Sequence, residues 1–153
     1  MPGALDGIRI LDLTWGTSAL GVLLLAEQGA DVIKVEPPWG DPFRGYDGYK
    51  VWTRSRRSVR ADLRTDAGRD ALLTLLETAD VIVEGFRPGV MDRLGLGWET
   101  LHARNPRLVA CSVPAWPAGH RNAHRPGYDA LVQAASGQQW EWRRRPLSGS
   151  WSG

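Results

Sequence analysis

The chain has a single cysteine, Cys111, in 153 residues. No disulfide can form within it, and a reducing compartment is expected. Cys111 lies in the apolar run "LVACSV", which predicts a small buried core residue and not a reactive thiol. Long apolar runs are also lacking. The longest, "VLLLA" at 22–26, falls far short of the ~20 residues that span a bilayer. The opening "MPGALDGIRI" has no basic stretch ahead of an apolar one, so no secretory signal is read there. The expectation is a cytoplasmic chain without a membrane partner. An excess of one charge is missing as well. Of 19 basic and 17 acidic residues, Arg143, Arg144, Arg145 and Glu141 fall in 138–153, which leaves 16 of each in residues 1–137. The pI of about 9.0 therefore comes from the tail, and nucleic acid is not an expected partner.

What is present describes one domain. A chain of this length buries roughly two-thirds of its surface on folding, and 42% hydrophobic with 24% charged residues is an ordinary globular balance. Ile8 to Leu13 reads as a short buried strand. Thr17 or Ser18 can cap the helix that follows, with Leu20, Leu23 and Leu24 on its apolar face and Glu27 on the wet one. Gly29 ends that helix, and Asp31 to Glu36 is the second strand, completing a βαβ crossover. Residues 37–57 are rich in Pro, Gly and aromatics without a period. A loop of this length is either functional or a surface excursion packed by its own rings. "SVRADLRT" reads as a third strand, and Thr65 caps a helix from Asp66 to about Thr78 with Leu72, Leu73 and Leu76 as its stripe. "ADVIVEGF" is a fourth strand, "PGVMDRLG" a helical turn, Trp98 to Arg104 a short helix, Leu108 to Val113 a fifth strand and Tyr128 to Ala135 a last helix. This alternation predicts an α/β fold, Rossmann-like, with a mostly parallel sheet and helices on both faces.

The final stretch, "QQWEWRRRPLSGSWSG", has neither helical nor strand period. The chain accordingly divides into a domain of residues 1–137 and an unrelated, disordered tail of residues 138–153.

Several site readings are weak. Glu36 ends the second strand about where a dinucleotide-binding acid would stand, but the first turn is "TWGTSALG" and G-x-G-x-x-G is absent, so NAD is not favoured. No P-loop occurs. His120 and His124 stand four apart, yet in a Pro-flanked loop without a third ligand, which argues against zinc. His102 is expected to be exposed. "VIVEGFRPGVMDRLGLGWETLHARNPRLV" carries more. A strand end, a Phe-Arg-Pro-Gly turn and a basic helical turn give an open pocket at the carboxyl edge of the sheet, where such sheets bind ligands. Arg87 and Arg93 can fork onto phosphate oxygens, and Phe86 can line an apolar slot. In the alternative, Arg93 pairs with Asp92 or Glu99.

Five stretches in order, "GIRILDLT", "LLLAEQGADVIKVEPPWGDPFR", "RSRRSVRADLRTDAGRDAL", "ADVIVEGFRPGVMDRLGLGWETLHARNPRLV" and "HRPGYDALVQAASG", together resemble the class III CoA-transferases. That family includes formyl-CoA and carnitine CoA-transferases and the α-methylacyl-CoA racemases. The resemblance runs from about Leu5 to Gly137. Family members are considerably longer, so the fold it implies is their amino-terminal part only, a truncated Rossmann-like unit.

The resemblance implies that CoA is a substrate and that no metal, redox or prosthetic group is needed. The partners would be an acyl-CoA and a carboxylic acid. It assigns CoA contacts to Thr17 and Ser18 in the first turn, to Ala61, Asp62, Leu63 and Arg64, to Gly85, Phe86 and Arg87, and to Arg93. Two departures bear on affinity: the first turn is one residue shorter than usual, and "EGF" replaces "ENF", so that Gly85 lacks an amide.

Transferase is favoured over racemase because Tyr128 stands where racemases carry a histidine, and a phenol is a poor base near neutral pH. The family's transferases use an aspartate that attacks the acyl-CoA to form a mixed anhydride. It lies downstream of the "QAASG" helix, and no Asp follows Asp129 here. No catalytic residue is therefore assigned, and an inactive or non-catalytic CoA-binding fragment is expected. Family enzymes form interlocked homodimers. Without most of the threaded part, a native dimer is not expected of this chain, and exposed apolar surface is.

Overall fold

The computed structural model describes residues 2–16 and 18–144. Its strands are β1 (Arg9–Leu13), β2 (Asp31–Glu36), β3 (Arg56–Arg60), β4 (Val81–Glu84) and β5 (Val109–Ser112). Its helices are α1 (Ser18–Glu27), α2 (Tyr49–Trp52), α3 (Asp66–Leu76), α4 (Val90–Arg93), α5 (Trp98–Arg104), α6 (Asp129–Ala135) and α7 (Gln138–Arg144). The strands form one sheet in the order β3-β2-β1-β4-β5, with every neighbouring pair parallel. The expected α/β, Rossmann-like sheet is what the chain forms.

Parallel strands need cover on both faces, and here it comes from two sets of helices. On one face Leu11, Ile33 and Ile82 pack against Leu72 and Leu76 of α3 and Leu101 of α5. On the other, Ile10, Val32 and Val83 meet Val22 and Ala26 of α1. Asn105 locks the first layer: its buried Nδ2 donates to the carbonyls of Leu76 (3.0 Å) and Ala79 (2.8 Å). It thus gives a second donor to the Leu76 carbonyl, which also accepts from the Ala79 N–H, and ties the end of α3 to the residue after α5.

Four expectations need correction. The buried residues of α1 are Ala19, Val22, Leu23 and Ala26, while Leu20 and Leu24 are exposed. Helical spacing puts Ala19, Val22, Leu23 and Ala26 on one stripe, and that stripe faces the sheet, which leaves Leu20 and Leu24 off it. The third strand begins at Arg56 and stops at Arg60, so Ala61 to Arg64 form a loop and not a strand end. Cys111 is exposed, because β5 is an edge strand among the described residues. Beyond Gly137 the chain is not without period: α7 spans Gln138–Arg144, while the remainder of the tail lies outside the described residues.

Thr65 caps α3 as expected, accepting from the Gly68 N–H at 3.1 Å, while its own hydroxyl donates to the Asp62 carbonyl at 2.8 Å. Gly68 must be glycine, since a Cβ there would lie 2.0 Å from the Asp62 carbonyl oxygen. Alanine at an ordinary helical glycine stabilises by up to about 1 kcal/mol. Gly68→Ala is instead expected to cost about 1–3 kcal/mol by overpacking, measured as a drop in the urea midpoint. An unchanged or raised midpoint would contradict this packing.

Candidate functional site

The carboxyl ends of β1, β2, β3 and β4 frame a cleft of about 190 Å³. Beneath it lies a buried charge cluster. Asp12, at the end of β1, has one carboxylate oxygen accepting from the Thr14 N–H (2.9 Å) and hydroxyl (2.6 Å). Its other oxygen takes Arg56 Nη1 at 2.6 Å. Lys34, in the middle of β2, donates to the Thr14 carbonyl (2.5 Å) and pairs with Asp41 at 3.0 Å, with Asp12 at 4.0 Å. Arg56 also donates to the carbonyls of Ala19 (2.5 Å) and Trp52 (2.9 Å). Two carboxylates and two cations balance in a site almost wholly removed from solvent. This is the condition for burying charge at tolerable cost.

A second knot braces the loop after β2. The buried Glu36 carboxylate receives Arg44 through two bonds of 2.8 Å, the Tyr49 hydroxyl at 3.1 Å and the Asp41 N–H at 3.1 Å. Burial pushes the Glu36 carboxyl up, but these hydrogen bonds and the Arg44 charge outweigh it and hold it below its ordinary range. Burial, joined by the adjacent Glu36 charge, pushes the Tyr49 phenol up to about 12. Phe43 packs against Tyr46 and Trp52. Residues 37–57 are thus both packed by their own rings and part of the cleft wall. Glu36 spends its oxygens on this knot, which removes it as a ribose acceptor.

The cleft walls include Leu13 at the end of β1, Thr14 and Trp15 after it, Trp39 and Pro42 in the loop, Ala61 to Arg64 after β3, and Phe86 after β4. Arg64 grips Asp62 through its Nε (2.8 Å) and Nη2 (2.7 Å) and lies over the Trp39 ring at 5.1 Å. The Arg64 hydrogen bonds bring the Asp62 carboxyl down to about 2. Nη1 of Arg64 takes no part in this grip, and it lies beside flat apolar walls.

Of the ten residues expected at the site, Ala61, Asp62, Leu63, Arg64 and Phe86 line this cleft. Ser18 and Gly85 meet next to it at the switch point between β1 and β4. A Cβ on Gly85 would lie 3.0 Å from Ser18 Oγ, and that hydroxyl donates to the Trp15 carbonyl at 2.9 Å. Arg87 turns away, donating to the His124 carbonyl at 2.8 Å. Arg93 ends α4 outside the cleft wall, without an ion pair to Asp92 or Glu99. Thr17 lies outside the described residues. Trp15, Trp39, Lys34 and Asp12 were not anticipated. A lone lysine inside the apolar strand "DVIKVE" was the one available signal. His102 is exposed and stacks on Trp98. No group of three or more metal-ligating side chains occurs among the described residues, and no helix among them is long and apolar enough to cross a membrane.

With this geometry in place, the comparisons are specific. The model of CoA-transferase family III matches residues 5–140. The chain belongs to CoA-transferase family III. It is 40% identical over 154 residues to the succinyl-CoA:mesaconate CoA-transferase of Haloarcula hispanica, covering 88% of this chain and 39% of that one. It is 39% identical to the acetyl-CoA:oxalate CoA-transferase of Acetobacter aceti, over 88% of this chain and 37% of the relative. The crystal structure of Rv3272 from Mycobacterium tuberculosis superposes with a TM-score of 0.82 at 38% identity, covering 89% of this chain and 40% of that one. The present family III chain therefore spans about two-fifths of the length of the relatives it matches.

The Tyr49–Glu36 contact predicts a pH signature. A phenol whose folded pKa is raised contributes stability in full below pH 10 and loses it as pH rises toward about 12. Tyr49→Phe is expected to cost about 1 kcal/mol near neutral pH and to flatten the stability decline above pH 10. Denaturant melts at several pH values check both. An unchanged alkaline limb would show that Tyr49 is not held by Glu36.

Proposed function

We propose that this chain is the CoA-binding part of a class III CoA-transferase and that, by itself, it binds CoA without transferring it. The observation that carries the reading is the cleft at the carboxyl ends of β1–β4. Four consecutive expected contacts, Ala61 to Arg64, share one wall with Phe86 opposite, inside the stretch that matches the family. The chemistry suits CoA. Arg64 offers a guanidinium to phosphate oxygens, and Trp15, Trp39 and Phe86 offer apolar surface to adenine or the pantetheine arm. Ser18 and Gly85 mark where the thioester end would pass, at the switch point.

In a complete family enzyme a carboxylate attacks the acyl-CoA carbonyl, expelling the CoA thiolate and leaving an acyl-aspartyl anhydride. The group moved is CoA, from an acyl-CoA donor to a carboxylic acid acceptor. The aspartate expected to follow the "QAASG" helix has no counterpart after Asp129 in these 153 residues. Relatives named for mesaconate, oxalate and glutarate transfer support a small dicarboxylate or related acid as acceptor in the complete enzyme. A racemase gains no support: Tyr128 is 73% exposed at the start of α6 and lines no part of the cleft.

Calorimetric titration with CoA is expected to give saturable heat. Arg64→Ala should weaken binding by about tenfold, the value of one charge-assisted hydrogen bond, with the fold intact by circular dichroism. Absence of heat from a folded sample would remove the proposal. Incubation with labelled acyl-CoA and a dicarboxylic acid should give no new thioester. Turnover would refute the assigned lack of a nucleophile.

A further inference from the structure

The loop of Ala61–Arg64 engages its own arginine before any ligand arrives. Asp62 Oδ1 accepts from Arg64 Nε at 2.8 Å, and Oδ2 accepts from Nη2 at 2.7 Å. Two parallel bonds from one edge of a guanidinium are also the arrangement in which arginine takes a phosphate. The Asp62 carboxylate therefore occupies an edge of Arg64 that a phosphate would use.

The two partners are not equally free to move. The Asp62 carbonyl accepts from the Thr65 N–H at 2.9 Å and from the Thr65 hydroxyl at 2.8 Å. Gly68 of α3 packs so closely on it that a Cβ would lie 2.0 Å from the same oxygen. Asp62 Oδ1 also takes the Arg64 N–H at 3.1 Å, which ties the carboxylate to the main chain of its own turn. Its side chain is 23% exposed, against 65% for that of Arg64. Arg64 stands on a long stem, 5.1 Å from the centre of the Trp39 ring, and all three residues line the cleft. A phosphate entering there meets a guanidinium with room to turn and a carboxylate held in place.

We propose that Asp62 is an internal competitor for Arg64 and holds the affinity for CoA down. Binding breaks the two Asp62–Arg64 bonds and puts Arg64–phosphate bonds in their place. Asp62 is then left beside the phosphate as a like charge. Exchanging one anion for another on the same guanidinium returns less than pairing a solvated arginine would. The competitor thus sets how tightly the cleft keeps CoA. This inference rests on the reading that the cleft takes CoA.

The test is calorimetric titration with CoA of four forms of the whole chain: the native sequence, Asp62→Asn, Arg64→Ala and the double variant. Asparagine keeps an acceptor for the Arg64 N–H and removes the charge. Asp62→Asn is expected to tighten CoA about two- to fivefold, the worth of one exposed ion pair. The gain should vanish where Arg64 is alanine, since no guanidinium is then released. If Asp62→Asn fails to fold, the native chain answers by carbon-13 NMR. The Asp62 carboxyl resonance should move on saturation with CoA, as Arg64 leaves it. Three results would overturn the proposal: an Asn variant that binds CoA no better than the native chain, a gain that persists without Arg64, or an unmoved carboxyl resonance. A native chain that binds CoA and gives any of these keeps the CoA reading and loses the competitor. Folded native and Asn forms that give no heat lose both.

Discussion

A buried ion cluster at the head of the sheet sets the shape of everything above it. Asp12, Lys34, Asp41 and Arg56 come from β1, β2, the following loop and β3, and each is almost wholly removed from solvent. Desolvating such groups is expensive. Deleting one member and leaving its partner uncompensated typically costs about 3–5 kcal/mol. The cluster is weak as a source of net stability, but it is demanding as a constraint. The charges balance only if the three strands and the loop stand in one register. Lys34 and Asp12 together hold the carbonyl, amide and hydroxyl of Thr14. The first residue after β1, where the chain turns toward α1, is thereby fixed.

The cleft follows from that constraint. With the Thr14 backbone pinned from below, the wall after β1 is rigid at its base. The Glu36 knot does the same for the loop that carries Trp39 and Pro42. Gly68 lets the loop of Ala61–Arg64 settle directly against the start of α3. The three walls therefore converge before any ligand arrives, which lowers the ordering cost of binding. The same economy explains why a nicotinamide reading fails here. The acid that would hold a ribose is already committed to Arg44 and Tyr49.

How much of this could be read from the residues depends on how local each cause is. The bounds of β2 and α5, the Thr65 cap and the exit at Gly29 rest on nearest neighbours and were legible. The family resemblance was legible too, because its motifs are strand ends and turns with little freedom to vary. The buried face of α1 was not. "ALGVLLLA" is apolar on all sides, so only the sheet decides that Ala19 and Val22 go in and Leu20 and Leu24 stay out. Cys111 sits in a run that reads as core, and its exposure comes from the position of β5 in the sheet order. The ion cluster joins residues up to 44 positions apart, beyond the reach of any local pattern. At the site, the loop of Ala61–Arg64 and Phe86 came together, whereas Arg87 bonds to the His124 carbonyl and Arg93 lies outside the cleft wall.

The matched stretch ends at residue 140, inside α7, so the similarity runs past Gly137, where the chain turns from α6 into α7. What the chain possesses is a braced cleft. The central claim is that the cleft exists before its ligand. Hydrogen exchange with and without saturating CoA tests it most directly. The account predicts slow exchange in β1 and β2 in the free chain, with new protection on adding CoA confined to the turns at 61–64 and 85–87. Protection that spread across β1, β2 and β3 only when CoA was present would mean that the ligand builds the cleft, and would contradict it.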